Sequence, residues 1–400
     1  MIVHDKNTQR LIIFILTAVQ FCHVLDFVIM MPLGPQLMRV LSINSSQFGA
    51  LVSSYTISAG IFGFLGTFLT QRFERKHFMI IVNIGFIIGT ALCSFAYNYE
   101  TLMGARIIAG GFGGIFGATI FAMVGDYIPQ ERRGTAMGIV MAAFPISSVI
   151  GVPLGLMTAN KFGWQSPFLY LAILSFLFLI MAVTTLPNVG NEKQNKNPFA
   201  LIKDVLFQPG HFNAFWLMQI FMFSIFLLIP YIAPYNVKNV GVLESELPYI
   251  YLFGGAFTFF TSQILGRLTD RFGAFKILLI VGLLSFIPII LITNLPKVPL
   301  YQVIIVTCIF MSLISGRNVP AMTLMLSKVK ISARGSFMTL ASSFQQLAIG
   351  LASFVGGVIL VESPEGKLLN YDKAGYLAIT VSIIGLAIGY FLDKKPNPAE

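Results

Sequence analysis

The chain alternates between apolar runs of about 20 residues and short polar segments that carry most of the charges. A run of this length crosses the hydrocarbon of a bilayer as an α-helix, because a helix pairs all of its backbone groups within the segment. The pattern predicts twelve spans, near residues 10–33, 47–70, 78–97, 100–125, 134–159, 164–187, 212–236, 247–269, 276–295, 299–326, 335–361 and 374–392. The predicted fold class is an all-α polytopic membrane protein.

The composition supports this class. Of the 400 residues, 56% are hydrophobic and 10% are charged, and the mean hydropathy is +0.82. An ordinary soluble domain carries about 25% charged residues, so this chain has too few to cover a water-facing surface. Cys22, Cys93 and Cys308 lie in predicted spans without disulfide or metal-ligand spacing. We therefore predict no metal site and no cofactor.

The net charge of +10 could suggest a nucleic-acid partner, but the placement of the charges favours a membrane. With both termini in the cytoplasm, 18 Lys and Arg residues face inward, six face outward, and Arg106 and Arg317 lie within spans. This asymmetry is the positive-inside pattern. We expect no nucleic-acid partner. The first span lacks a short basic leader with a cleavage site, so we interpret it as a retained helix.

The two halves of the chain repeat weakly at an offset of about 200 residues. Three landmarks recur in the same order: RFERKH at Arg72 with RFGAFK at Arg271, RRGTAMG at Arg132 with ARGSFMT at Ala333, and Pro35 with Pro234. A polar stretch starts at Asn188. This organisation predicts a six-helix bundle at 1–187, a cytoplasmic and partly helical linker at 188–211, and a second six-helix bundle at 212–400.

Several strings resemble signatures of the major facilitator superfamily. They are GRLTDRFGAFK at 266–276, LMGARIIAGGFGG around Arg106, GDYIPQERRGTAMG at 125–138, and GVPLG at 151–155 followed by FGWQSPF. The last resembles the glycine–proline motif of drug and sugar efflux antiporters. The resemblance covers essentially the whole chain and implies two pseudo-symmetric six-helix bundles that transport a small molecule by alternating access. It points to proton-coupled efflux, with a multidrug or sugar substrate.

The chain departs from the family pattern at Gln71, Glu74, Val152 and Gln165, and these variants resemble the sugar- and arabinose-efflux subgroup. The resemblance implies that Asp270 and Arg271 help to latch the cytoplasmic side shut. The same rim carries further gating candidates, Arg132, Arg133 and Arg334. Exposed loop charges are otherwise explained as solvated markers of topology.

Asp26 is the only carboxylate well inside a predicted span. Burial disfavours a charged carboxylate and a nearby cation favours it, so a carboxylate with a movable partner can exchange a proton. Helical rise places Asp26 roughly 10 Å and Arg106 roughly 8 Å from the outer ends of their spans. At about 4 Å and an effective dielectric of about 20, such a pair is worth about 4 kcal/mol. We predict proton coupling at Asp26, with a permanent structural ion pair as the alternative.

His23 precedes Asp26 by three residues, so both lie on one helix face with Gln20 behind them. Histidine titrates near neutral pH and could share the proton. The alternative is a hydrogen-bonded packing residue. Gln20 and Arg106 are predicted to line the substrate cavity.

Arg317 lies beside Asn318 and Pro320, and the repeat offset matches it with Phe116 and not with Arg106. A proline frees a backbone carbonyl, and a bent helix exposes polar groups. This predicts that Arg317 and Asn318 line a cavity, where Arg317 could hold an anionic substrate group or balance the charge when Asp26 is neutral. The alternative is an arginine that snorkels to the headgroups.

Further cavity candidates are side chains whose polar atoms need a partner at depth: Tyr55, Tyr231, Tyr235, Gln345 and Gln346. Glycines crowd the fourth span, and the fifth carries Gly151, Pro153 and Gly155. Small residues let membrane helices approach closely. We predict packing by these glycines, with a hinge role during gating as the alternative.

These features predict a secondary transporter with a small-molecule substrate, protons and the bilayer as its partners. A proton-coupled symporter or a uniporter that imports a metabolite is the alternative. A membrane-embedded enzyme is a distant one, because the four histidines are scattered without ligand spacing. We expect a monomer in the inner membrane of a bacterium.

Overall fold

The structure, a computed structural model, describes residues 5–69, 73–187, 211–330 and 333–395. Gln71, Arg72 and the predicted linker at 188–211, apart from His211, lie outside the described residues. The α-helices are α1 Lys6–Ile29, α2 Gly34–Val40, α3 Ser45–Leu69, α4 Arg75–Phe95, α5 Tyr99–Tyr127, α6 Gln130–Met141, α7 Ala143–Ile146, α8 Val152–Phe162, α9 Ser166–Thr185, α10 His211–Phe226, α11 Ile229–Tyr235, α12 Leu247–Phe272, α13 Ala274–Leu284, α14 Phe286–Thr293, α15 Leu300–Gly316, α16 Asn318–Ser327, α17 Arg334–Ile359 and α18 Tyr371–Asp393.

A few short elements join these helices. They are π-helical turns at Ser147–Gly151 and Asn236–Val240, a 3₁₀ turn at Glu244–Glu246, and an antiparallel hairpin of β1 Val361–Glu362 and β2 Leu368–Leu369. The predicted all-α class is confirmed.

Eleven helical segments of the described chain are long and apolar enough to cross a membrane. They are Lys6–Ile29, Ser45–Gly66, Arg75–Phe95, Tyr99–Tyr127, Gln130–Phe162, Ser166–Thr185, His211–Val240, Ala274–Thr293, Leu300–Ser327, Phe337–Ile359 and Tyr371–Asp393. The remaining predicted span, at 247–269, corresponds to α12, a helix of 26 residues whose tyrosine, threonine and glycine residues make it less apolar. The structure agrees with a twelve-helix membrane fold.

Three spans break at the third residue before a proline. Ala142 separates α6 from α7 before Pro145, Ser285 separates α13 from α14 before Pro288, and Arg317 separates α15 from α16 before Pro320. A proline cannot donate to the carbonyl four residues before it, and its ring clashes with that carbonyl. Proline therefore places two polar side chains, Ser285 and Arg317, at helix joints.

The chain forms two compact units. The first unit comprises the described parts of Met1–Met30 and Ser54–Lys196, and the second comprises those of Met31–Ser53 and Asn197–Glu400. Residues 31–53 belong to the second unit because its contacts hold them. The Ser45 hydroxyl donates to the carbonyl of Leu360 at 2.7 Å, and the Ser53 hydroxyl donates to that of Gly350 at 2.7 Å.

The internal repeat has a structural counterpart at one of its landmarks. Nε of Arg133 donates to the carbonyl of Ile128 at 3.0 Å, and Nε of Arg334 donates to that of Val329 at 3.2 Å. Each arginine thus binds a carbonyl five residues upstream, just after α5 in one unit and just after α16 in the other. A basic side chain near a helix C-terminus satisfies carbonyls that have no partner within the helix.

Candidate functional site

The first unit buries an aspartate and an arginine completely. Asp26 lies one turn before the end of α1, and Arg106 lies two turns after the start of α5, each with 0% exposure. The start of α5 is fixed by Asn98, whose side chain accepts a hydrogen bond from the backbone N–H of Thr101 at 2.8 Å. Because this N-cap fixes where α5 begins, it also fixes the depth of Arg106 along the helix.

Asp26 and Arg106 form the ion pair that their matched depths indicated. Nη1 of Arg106 donates to Oδ2 of Asp26 at 2.8 Å and to the Asp26 backbone carbonyl at 3.3 Å. The Thr90 hydroxyl on α4 donates to Oδ1 at 3.3 Å. Both carboxylate oxygens therefore have donors, as a buried ion pair requires if attraction is to offset desolvation.

Aromatic rings surround the guanidinium of Arg106. Its Cζ lies 4.2 Å from the ring centroid of Tyr55 and 6.0 Å from that of Phe168. A guanidinium over an aromatic face gains a cation–π attraction that strengthens when water is excluded. The Tyr55 hydroxyl is buried and has no hydrogen-bond partner among the described residues. The predicted candidate Tyr55 thus lies directly at the ion pair.

His23 lies in the same cluster without binding the ion pair. Its ring is 6.4 Å from that of Tyr55, 5.8 Å from Phe86 and 5.9 Å from Phe116, measured between centroids. Within the described ranges, neither ring nitrogen of His23 has a hydrogen-bond partner, and neither has Oε1 of Gln20. The structure places His23 in the aromatic cluster around the ion pair, and the roles of His23 as a proton relay and of Gln20 as a cavity residue stay predictions.

Glycines hold α5 against α3 at this level. A Cβ at Gly110 would overlap the carbonyl of Tyr55, and a Cβ at Gly114 would overlap that of Ala59. This is the close helix approach that small residues allow in membranes. A Cβ at Gly151 would lie 2.6 Å from the side chain of Leu25 and one at Gly155 2.8 Å from that of Ile29, and both of these neighbours are on α1. Pro153 lies in the first turn of α8, directly after the π-helical turn.

The second unit buries Arg317 in a different environment. Its guanidinium has 0% exposure and donates from Nη1 to Oγ of Ser382 at 2.9 Å and from Nη2 to Oγ of Ser224 at 3.1 Å. Oγ of Ser285 lies at 3.5 Å from Nη1, and Cζ lies 5.0 Å from the Phe221 ring centroid. We name Arg317, Ser224, Ser285 and Ser382 the arginine–serine cluster. The guanidinium is buried among helices in this structure, and the predicted role of Arg317 in lining a substrate cavity stays a prediction.

The remaining cavity candidates lie in the second unit. The Tyr231 hydroxyl donates to the carbonyl of Ser353 at 2.5 Å, and that of Tyr235 donates to Leu295 at 3.2 Å. Both tyrosines are buried, so their hydroxyls serve packing between helices in this structure. Gln345 and Gln346 are partly exposed, and Oε1 of Gln346 and Oδ1 of Asn318 lack hydrogen-bond partners in the described part of the chain. Their cavity role stays a prediction.

Among the rim candidates, Arg133, Arg271 and Arg334 contact residues close in sequence, whereas Arg132 contacts a residue of α1. Nη1 of Arg132 donates to Oε1 of Gln9 at 3.2 Å, and Arg271 lies 5.2 Å from the ring centroid of Phe272. Asp270 forms no ion pair within the described ranges. The latch attributed to Asp270 and Arg271 is therefore still a prediction.

Sequence reasoning missed the hydroxyl partners of Asp26 and Arg317 and one rim ion pair. Thr90 and the three serines give no signal beyond being single polar residues in apolar spans. Nε of Arg75 lies 3.2 Å from Oδ2 of Asp126 in the first unit. Arg75 belongs to the RFERKH repeat landmark and Asp126 to the family-like string at 125–138, but neither string indicates that the two side chains meet.

A model of the Major Facilitator Superfamily matches residues 16–353 and 217–400 of this chain. The chain belongs to the major facilitator superfamily. It is 25% identical over 381 residues to the uncharacterized MFS-type transporter YwfA of Bacillus subtilis (strain 168), covering 92% of this chain and 89% of that protein. Multidrug resistance protein 2 of the same organism is 23% identical, and the match covers 98% of each chain.

Solved structures of this superfamily share the fold. The crystal structure of a D-xylose–proton symporter superimposes with a TM-score of 0.77 at 17% sequence identity, covering 97% of this chain and 98% of that one. At this identity the likeness concerns the fold alone. The chain is thus a multi-pass membrane transporter of the major facilitator superfamily, which confirms the resemblance drawn from its motifs.

Proposed function

We propose that this transporter is a proton-coupled exporter of a small molecule and that Asp26 carries the coupling proton. The observation that supports this most is the complete burial of Asp26 on Arg106, with a 2.8 Å contact between Oδ2 and Nη1. A charge held inside a membrane span is expensive and typically marks an ion or substrate pathway. A purely structural pair is the alternative.

The proposed mechanism alternates the partner of the Asp26 carboxylate. While Arg106 and Thr90 donate to it, the carboxylate is charged and balanced. When a conformational change withdraws the guanidinium, a proton becomes the remaining way to neutralise the group. Substrate bound by the freed Arg106, or by groups beside it such as Tyr55 and His23, would then compete with the proton. Such competition in an alternating-access cycle produces antiport.

Two similarities bear on the direction of transport, and they favour opposite directions. A protein named multidrug resistance protein 2 matches this chain over almost its whole length, which favours efflux. A D-xylose–proton symporter has the same fold, so proton-coupled import is the alternative. Inside-out vesicles with an acid interior should accumulate the substrate if the protein exports it. Uptake into right-side-out vesicles driven by an inward proton gradient would instead identify an importer.

The test of coupling compares two aspartates of the first unit. Ligands are first identified by thermal stabilisation of the purified protein against a library of metabolites and drugs. We expect Asp26→Asn to keep ligand stabilisation and to lose gradient-driven transport by at least about tenfold, because the neutral amide cannot exchange a proton. Asp126→Asn, which removes the rim partner of Arg75, is the matched control and should transport normally. Unchanged gradient-driven transport by Asp26→Asn would exclude the proposed role.

We further propose that the protein works as a monomer in a bacterial inner membrane with both termini in the cytoplasm, as its 18 inward-facing basic residues favour. The three native cysteines are all buried and unpaired in the structure. A cysteine introduced at Asn7 should therefore be labelled by a membrane-impermeant thiol reagent only in inside-out vesicles. Labelling from the outside of intact cells would reverse the topology.

A further inference from the structure

The arginine–serine cluster contains a buried positive charge without a negative partner. In the described part of the second unit, the ion pairs join Arg39 to Glu244, Lys238 to Glu362 and Lys367 to Glu365, and none of them includes Arg317. A charge removed from water costs several kcal/mol unless an opposite charge and further hydrogen bonds compensate it. Hydroxyl dipoles alone leave the unit charge of Arg317 unbalanced.

One nitrogen of the guanidinium also has no acceptor at all in the part of the chain that the structure describes. Nε of Arg317 is buried and has no acceptor among the described residues. An unused donor on a buried guanidinium carries the desolvation penalty of a charged group. This second observation points to a missing acceptor, and the missing charge indicates that the acceptor is an anion.

The serine hydroxyls can turn toward such an anion. Oγ of Ser224 and Oγ of Ser382 are 2.7 Å apart, and both are within 2.8 Å of the carbonyl of Ala378. Each hydroxyl has a single hydrogen that rotates. Two hydroxyls compete for one carbonyl, so one of them can donate elsewhere without leaving that carbonyl unpaired.

We propose that the arginine–serine cluster binds a small inorganic monoanion, of the size of chloride, as a resident countercharge of the second unit. The anion accepts hydrogen bonds from Nε of Arg317 and from a serine hydroxyl. Only a small anion suits groups that are this fully enclosed. A carboxylate of a transported substrate has the same acceptor chemistry, and the experiment below separates the two sources.

The anion would also hold two helix joints together. Arg317 separates α15 from α16, and Ser285 separates α13 from α14. Both joints result from prolines and not from the anion. Binding at the cluster therefore fixes the angle between helix segments that proline leaves without a backbone hydrogen bond, and this stabilises the folded protein.

The test measures thermal unfolding of the full-length protein in nanodiscs. Sodium chloride is titrated against sodium gluconate at constant ionic strength and pH, and bromide replaces chloride in a parallel series. We expect a saturable rise of a few degrees in Tm with chloride and bromide but not with the bulky gluconate, because a ligand of the folded state stabilises it by mass action. Arg317→Gln should abolish the response, and Ser382→Ala should weaken apparent affinity by about tenfold.

Two control variants separate this site from general salt effects. Arg39→Gln removes an arginine of the same unit that is paired with Glu244, and its chloride response should match that of the wild type. Asp26→Asn should also keep the chloride response, so failure of the anion site is distinguishable from failure of proton coupling.

Several outcomes would overturn the proposal. One is a wild-type Tm that does not depend on chloride, and another is an equal response in Arg317→Gln. If Arg317→Gln does not fold, Ser224→Asp supplies a carboxylate within the cluster and should be stable without chloride. A chloride response retained by Ser224→Asp would contradict the site. Stabilisation by carboxylate-bearing library compounds alone, lost in Arg317→Gln, would assign the arginine to substrate.

Discussion

Arg106 in the first unit and Arg317 in the second are both completely buried, and each guanidinium lies against an aromatic ring, of Tyr55 at 4.2 Å and of Phe221 at 5.0 Å. They differ in what faces the charge. Arg106 meets a carboxylate, whereas Arg317 meets three serine hydroxyls. A carboxylate can take up a proton in the physiological range when its cation leaves, and a serine hydroxyl cannot. This difference supports the two proposals, proton exchange at the first cluster and anion binding at the second.

The largest expected effect is on the free energy of unfolding. Its size depends on which polar groups each substitution leaves buried without a partner. Asp26→Ala leaves the guanidinium of Arg106 buried without its partner, and we expect a loss of about 3–5 kcal/mol in the free energy of unfolding. Arg317→Leu leaves hydroxyls that bind one another and the carbonyl of Ala378, so we expect about 1–3 kcal/mol. Reversible unfolding in mixed micelles of SDS measures both.

A double variant sharpens this comparison. Asp26→Ala combined with Arg106→Leu removes both charges and should recover most of the stability, since a buried pair is often replaceable by apolar groups. Contrary results would be a double variant no more stable than Asp26→Ala, or a greater loss in Arg317→Leu than in Asp26→Ala.

An intermediate effect concerns the helix contact that holds Arg106 over Tyr55. Gly110→Ala places a methyl group against the carbonyl of Tyr55, and forcing atoms into a packed interior costs about 1–3 kcal/mol. Gly117→Ala is the control on the same helix, because a Cβ there has nothing within 4 Å, and replacing glycine in a helix stabilises it by about 1 kcal/mol. Thermal unfolding should move in opposite directions for the two variants, and a shared direction would argue against a tight α3–α5 contact.

The smallest expected effect on thermal stability comes from Asp5, whose carboxylate is exposed, in contrast to the buried carboxylate of Asp26. The Thr8 hydroxyl and N–H donate to Asp5 at 2.6 and 2.8 Å and hold the pKa of Asp5 below its usual 3.8. A lowered pKa means that the contribution of Asp5 to stability is present above pH 4 and is lost as the pH falls through the folded-state pKa. Asp5→Ala should lower Tm slightly at neutral pH, and the difference from the wild type should shrink as the pH falls below 3.8. A difference that does not change with pH would contradict the N-cap role.

The fold was predictable because a bilayer allows few solutions. Apolar runs had to be helices, and charges inside them had to be unusual, which singled out Asp26, Arg106 and Arg317. Matched depths even indicated the Asp26–Arg106 pair. The proline joints were indicated only in part, since Pro320 predicted a bend but not that Arg317 itself would be the joint residue.

The partners of Arg317 could not be predicted for a physical reason. Ser224, Ser285 and Ser382 come from three separate spans, and a serine hydroxyl in a membrane helix can equally bond the carbonyl one turn before it, as that of Ser382 also does with Ala378. Which serines meet across helices depends on rotation about each helix axis, which the apolar pattern of nearly uniform spans does not fix. For the same reason, the sequence did not indicate that the hydroxyls of Tyr231 and Tyr235 would donate to backbone carbonyls.

Arg317, the joint residue between α15 and α16, carries a positive charge, and this makes the joint sensitive to an electric field. If the proposed anion leaves the cluster and the helix bends at this joint, the guanidinium of Arg317 is displaced as an unbalanced positive charge inside the low-dielectric layer. Moving one elementary charge through an entire potential drop of 100 mV involves about 2.3 kcal/mol, and a partial displacement involves the corresponding fraction. Bending of this helix would thereby sense membrane voltage, without a dedicated sensor segment.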